Sequence, residues 1–212
     1  MNEANSQESA KQLLQSGLEQ LDLDVEKCPS IMHFLALLQR WNNTYKMTAI
    51  TDWHNMVVQH ALDSAAVIPY VEGVHIIDVG TGGGLPGIML ALFKPESSIT
   101  LIDAVAKKTR FLNHVKRSLA LQNIHIVHDR VENFIPDKKF DVVISRAFAE
   151  VNRFLSLTQH LGDHHSRFMA MKGPKEEPLV VDSEFNLVST LNIEVPFLDA
   201  QRKLYQYMKK SQ

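Results

Sequence analysis

A chain of 212 residues with 45% hydrophobic and 22% charged content has the make-up of an ordinary globular protein and is long enough to bury a substantial core. No apolar run reaches bilayer length, the opening MNEANSQESAKQLL lacks a basic and then apolar leader, and the single cysteine, Cys28, excludes an intrachain disulfide. The expectation is a cytoplasmic protein with no membrane partner. The net charge of −2 does not mark a nucleic-acid binder, but residues 1–30 hold six of the 24 acids and only two of the 22 bases, so the slightly basic remainder allows a local basic face.

The first elements read as helices. Leu13, Leu14, Leu18 and Leu21 share one helical face, as do Ile31, Phe34, Leu35, Leu38 and Trp41, with Pro29 opening the second helix. After a polar loop around Asn42 to Asp52, the stretch His54 to Ile68 predicts a third helix closed by Pro69. Short apolar runs then follow at 74–79, 98–103, 124–128, 140–145 and 166–171, separated by helical or mixed stretches at 85–93, 105–121 and 150–161. That alternation predicts a mostly parallel, doubly wound α/β sheet covered on both faces. Segments 185–195 and 203–209 predict an antiparallel hairpin on the sheet edge. Residues 1–70 thus read as an N-terminal helical cap and 71–212 as the α/β domain, packed as one compact unit.

The strand VHIIDV runs directly into GTGGGLPG. Gly80, Gly82, Gly83 and Gly84 let the backbone turn sharply and approach a ligand, and the helix from Leu85 to Phe93 is expected to aim its N-terminal amides at the turn. In a doubly wound sheet this is where a ligand crevice opens. Gly82, Gly84 and Gly87 also fit the dinucleotide pattern G-x-G-x-x-G. Against that, Asp78 sits where a pyrophosphate would lie and suits a cationic amino-acid ligand, directly or through water. The glycines also begin one step early, at Gly80. Asp103, ending the second strand, can accept ribose hydroxyls in either case. These residues favour S-adenosylmethionine over a nicotinamide dinucleotide. Asp129, Val131 and Glu132 follow the third strand, where adenine contacts are expected, although turn and cap roles compete there.

Several segments together resemble one family, the bacterial small-subunit ribosomal RNA guanine-N7 methyltransferase G, also called glucose-inhibited division protein B. They are LLQRWNNTYKMTAI (37–50), VVQHALDSAAVIPY (57–70), IIDVGTGGGLPGI (76–88), LIDAVAKKTRFL (101–112), VISRAFA (143–149) and MKG (171–173). The resemblance implies a class I (Rossmann-like) methyltransferase that binds S-adenosylmethionine through Gly80, Leu85, Val131, Glu132 and Arg146. The physical reading adds Asp78, Gly82, Gly84 and Asp103. The implied acceptor is a guanine in the decoding-region hairpin of 16S ribosomal RNA, within the small ribosomal subunit or its assembly intermediate. The chain departs from the family at Lys46-Met47-Thr48, where a cation replaces a polar neutral group.

Methyl transfer to guanine N7 uses an in-plane lone pair, so alignment matters and no general base is expected. A cysteine nucleophile is missing from the crevice, because Cys28 belongs to the helical part. The Pro-Pro-aromatic motif of exocyclic-amine enzymes is replaced by Ser145-Arg146-Ala147-Phe148. Arg146, whose planar fork can grip a carboxylate, a phosphate or guanine O6, is the catalytic candidate as a substrate-orienting group. Lys46, Lys107, Lys108, Arg110, Lys172 and Arg202 are the candidate RNA contacts, with Lys116 and Arg117 extending the same helix. Phe148, Trp41 and Tyr45 read as core anchors before base-stacking platforms, and His60 with Asp63 as a structural pair before an RNA contact. The pairs His125/His128 and His164/His165 lack further ligands, so no metal is expected. Methylation of another RNA or a small molecule, a cofactor-binding ribosome-assembly factor and a nicotinamide-dependent oxidoreductase are the competing functions.

Overall fold

The computed structural model describes residues 3–174 and 184–210. Helices α1 (Glu3–Gln20) and α2 (Cys28–Tyr45) lead the chain. Pro29 lies in the first turn of α2, and Ile31, Phe34, Leu35 and Leu38 form its buried face, as their spacing dictates. The helix ends at Lys46, whose φ of 49° is left-handed and whose amide donates to Asn42 O at 3.1 Å. That conformation leaves the helical path and satisfies one terminal carbonyl.

The third helical stretch is not uniform. It starts as α3 (Trp53–Met56), widens into a π-helical turn over Val57–Leu62 and closes as α4 (Asp63–Ala65). Asp52 caps its start by accepting the Asn55 amide at 2.9 Å. Pro69 does not close this helix, which ends at Ala65; it lies in a separate 3₁₀ turn, Ile68–Tyr70, where a first-turn proline lacks only an N–H that would have no helical partner.

The remainder alternates as expected: β1 (His75–Val79), α5 (Gly87–Phe93), β2 (Ser98–Asp103), α6 (Ala106–Ser118), β3 (Ile124–His128), β4 (Val142–Arg146), α7 (Val151–Thr158), β5 (Arg167–Lys172), β6 (Phe185–Ile193) and β7 (Arg202–Lys209). Among the described residues seven strands are ordered β3-β2-β1-β4-β5-β7-β6, parallel except where β7 pairs antiparallel with β5 and β6. The order reverses between β1 and β4, so a crevice opens at their carboxyl ends. The edge hairpin predicted over 185–195 and 203–209 is β6–β7, bent by a register shift between Leu187 and Ser189.

Successive strand residues serve opposite faces. Ile76, Val142, Ile144 and Met169 join a core with α1, α2, the π turn, α5 and α6, whereas Ile77, Val143 and Phe168 join a second core with Phe154 and Leu155 of α7. Burial on both sides is why the strands read as continuous apolar runs. Leu14, Leu18, Phe34 and Leu62 share the first core with Leu101 and Leu112, so the N-terminal helices pack on the sheet directly.

Candidate active site

The glycine turn after β1 is fixed from beneath by Asp78. Its carboxylate is fully buried, and Oδ2 accepts the Thr81 hydroxyl at 2.7 Å and the Gly87 amide at 2.9 Å. Burial pushes the Asp78 carboxyl up to about 6, although both hydrogen bonds act in the opposite direction. Among the described residues Asp78 Oδ1 has no hydrogen-bond partner. Asp78 lines neither cavity described below. The carboxylate is turned inward, onto the start of α5. That helix also begins at Gly87 and not at Leu85, and its first amide is engaged by Asp78. A helix N-terminus already facing a buried carboxylate is a poor seat for a pyrophosphate.

Two glycines show what the turn demands. Gly80 has φ 65°, and a Cβ added there would stand 2.3 Å from Phe148 Cδ2, so a side chain is excluded by both backbone and space. Gly82 has φ 59°, yet its added Cβ would meet nothing nearer than Gly80 O at 3.8 Å. Its open side faces the cavity. Gly84, expected to touch the ligand, instead faces Ile88 and Leu112 and lines neither cavity. It lets the turn settle on the core. Leu38 of α2 buttresses the turn at Gly83.

Two cavities meet at Gly80 and Ala147. One, of about 710 Å³, is bounded by Asp103, Val105, Lys108, Asp129, Val131 and Glu132. Asp103 is nearly buried there and organises its surroundings: Oδ2 accepts the Gly82 amide at 3.0 Å and the Lys108 ammonium at 3.3 Å, while Oδ1 accepts the Val105 amide at 2.9 Å. A carboxylate oxygen has two acceptor positions, so Oδ1 keeps capacity for a further donor. Val131 is buried and supplies an apolar wall, Glu132 is exposed, and Asp129 accepts the Arg130 amide as a turn residue.

The other cavity, of about 430 Å³, is lined by Gln59, His60 and Asp63 together with Arg146 and Arg202, by Gly80 to Gly83 and Leu85 of the glycine turn, and by Lys172 and Lys203. Arg146 Nη1 donates to Asp63 Oδ2 and to Gln59 O, each at 3.0 Å, and Arg202 Nε donates to Asp63 Oδ1 at 2.6 Å. His60 Nε2 lies 2.9 Å from Thr48 Oγ1, which also accepts the Ile50 amide at 3.1 Å. Burial, reinforced by the nearby Arg146 charge, pushes the His60 imidazole down to about 4, so it is neutral at pH 7. Lys172 Nζ donates to Ala149 O.

The other basic candidates fall elsewhere. Lys46 is exposed at the end of α2; Lys107 Nζ donates to Tyr45 O at 2.7 Å, tying α6 to α2; Arg110 is exposed on α6. None of these three lines either cavity. Lys116 Nζ donates to Ile124 O at 2.7 Å. Trp41 stacks against Tyr45, Phe111 and His114, an anchoring role, and Phe148 packs beside the second core and over Gly80. Gln59 and Lys203 were not singled out by sequence. Gln59 enters the cavity wall through a π turn that no residue pattern announces. Among the described residues no group of three His, Cys, Asp or Glu could hold a metal ion, and no helix is long and apolar enough to cross a membrane.

The topology and the crevice at the β1/β4 reversal define a class I methyltransferase fold. The chain superposes on a SAM-dependent methyltransferase from Aquifex aeolicus with a TM-score of 0.55 at 16% identity, covering 73% of this chain and 93% of that one. It is likewise similar to the magnesium protoporphyrin IX methyltransferase of Synechocystis PCC 6803, solved with bound SAM, with a TM-score of 0.58 at 15% identity and coverage of 84% and 97%. Residues 27–205 match the family model for rRNA small subunit methyltransferase G. Similar chains named ribosomal RNA small subunit methyltransferase G come from Pseudomonas syringae pv. tomato, 42% identical with 91% of this chain and 93% of the relative covered, and from Methylobacillus flagellatus, 43% identical with 92% and 96% covered. The chain belongs to the rRNA small subunit methyltransferase G family.

Proposed function

We propose that this protein transfers a methyl group from S-adenosylmethionine to N7 of a guanine in the decoding-region hairpin of 16S ribosomal RNA, acting in the cytoplasm on the small subunit or its assembly intermediate. On this reading residues 1–70 form a cap and 71–212 the methyl-transfer domain.

The observation that carries the cofactor choice is the bond from the Gly87 amide to Asp78. It fills the anion seat a dinucleotide needs, while leaving at the end of β2 a carboxylate suited to vicinal hydroxyls. The residues present therefore fit S-adenosylmethionine, which supplies a methyl group activated by a sulfonium charge. Asp103 would hold the ribose, Val131 and Glu132 the adenine side, and Gly80, Gly82 and Leu85 the amino-acid arm. Arg146 faces that arm and the acceptor space together and is assigned both cofactor binding and guanine orientation. Guanine N7 carries a free lone pair, so the chain needs to align and desolvate and not to remove a proton. The neutral His60 imidazole, held by Thr48, is consistent with that economy. Lys172 and Arg202, on the cavity wall, are assigned the nearest RNA contacts, with Lys46, Lys107, Lys108 and Arg110 as a wider face.

Calorimetry with S-adenosylmethionine and with NAD tests this reading. Saturable binding of S-adenosylmethionine alone is expected. Binding of NAD alone would overturn it.

A further inference from the structure

The cavity wall opposite the glycine turn is built around one carboxylate. Asp63 is 5% exposed, and its two oxygens take two guanidinium groups from strands remote in sequence: Arg146 at the end of β4 and Arg202 at the start of β7. Two cations on one anion leave a net positive wall, and neither arginine is fully buried, with side-chain exposures of 20% and 23%.

The backbone beneath Asp63 serves the same end. In the π turn the Asp63 amide donates to Val58 O and His60 O, and so bypasses the Gln59 carbonyl that α geometry would assign to it. Gln59 O accepts from Arg146 Nη1 instead. Arg146 is thus held by a carboxylate and a carbonyl presented by one irregular turn. Arg202 carries the edge hairpin to the same point.

We propose that Asp63 is a positioning residue for methyl transfer: with the π turn it sets the direction of the Arg146 guanidinium and draws Arg202 of the edge hairpin into the same cavity wall. This inference rests on the methyltransferase reading above. Asp63 acts through Arg146 and is not itself given a contact with the reacting atoms. A mispointed guanidinium costs rate even in a folded protein, since a displacement of about 1 Å lowers turnover by up to ~100-fold in well-aligned sites.

The test compares the full chain with Asp63→Asn, which removes the charge, and Asp63→Glu, which keeps it but moves the carboxylate by one methylene. Each is assayed for melting temperature and for steady-state methyl transfer to small subunits, alone and combined with Arg146→Ala. We expect Asp63→Glu to melt close to wild type and to lose about 10-fold or more in kcat. Asp63→Asn is expected to lose more, and to add little to the loss of Arg146→Ala, because both changes act through one group. A folded Asp63→Glu with wild-type kcat overturns the inference, and so do losses that simply add with Arg146→Ala. Should Asp63→Asn fail to fold, Asp63→Glu decides alone. A wild-type chain that transfers no methyl group to any RNA overturns the underlying reading instead, a distinct result.

Discussion

The Gly87 amide donates to Asp78 Oδ2 at 2.9 Å, nine residues apart in sequence and across the whole glycine turn. The bond ties the first residue of α5 to the penultimate residue of β1. Asp78→Ala leaves the buried Gly87 amide and Thr81 hydroxyl without their acceptor, at a cost of about 1–3 kcal/mol for each unsatisfied group. Asp78→Asn keeps an acceptor. Chemical denaturation should therefore rank wild type and Asp78→Asn well above Asp78→Ala; equal stability of all three would refute the clamp.

The same carboxylate and His60 impose opposite pH dependences. Asp78 is raised to about 6 from an ordinary 3.8, so the stability it contributes when protonated is present below pH 3.8 and is lost as pH rises through 6. His60 is lowered to about 4 from 6.5, so the folded state resists protonation, and stability is lost as pH falls from 6.5 toward 4. Across its full window each group contributes on the order of 3 kcal/mol, and between pH 4 and 6 the two contributions oppose. Asp78→Asn should unmask a fall in melting temperature on acidification across that window, and His60→Gln should unmask a rise. Matching profiles for both variants would contradict the assignment.

Asp103 gathers the Gly82 amide, the Val105 amide and the Lys108 ammonium around one carboxylate. Asp103→Ala should weaken S-adenosylmethionine binding by about 10- to 100-fold, the loss of hydrogen bonds to a charged group. Calorimetry reads this directly. An unchanged Kd in a folded variant would move the ribose away from Asp103.

Basic residues should divide by what they hold. Lys172 lies on the cavity wall, whereas Lys107 Nζ joins α6 to Tyr45 O. Lys172→Ala should lower the slope of log RNA affinity against log salt by about one ion. Lys107→Ala, on the wider face, should lower that slope by less and should also lower the melting temperature, because its ammonium ties α6 to Tyr45 O. The reverse pattern would place the RNA face on α6.

The strands and most helices were legible because burial on both faces forces continuous apolar runs such as Ile76–Ile77 and Val142–Val143, and because glycines mark the turn. The cavity was legible in part. Gly80, Gly82, Leu85, Arg146, Lys172 and Arg202 do converge, since the topology brings the ends of β1, β4 and β5 and the start of β7 together. For Asp78 and Gly84 a sequence shows residue type and not direction: the Asp78 carboxylate is turned onto the Gly87 amide, and Gly84 packs against Ile88 and Leu112. The π turn left no mark, since VVQHAL suits an α-helix equally well. Nor did Ala147, whose φ of 54° lies in the left-handed region that alanine disfavours.

The central claim is tested most directly by transferring labelled methyl from S-adenosylmethionine to small ribosomal subunits and to deproteinised 16S RNA, then identifying the labelled nucleoside and its position. Label on 7-methylguanosine at one guanine of the decoding-region hairpin, with most of the transfer lost in folded Arg146→Ala, is the predicted result. Label on cytosine or adenine, or no transfer to either substrate by a chain that binds the cofactor, would contradict it.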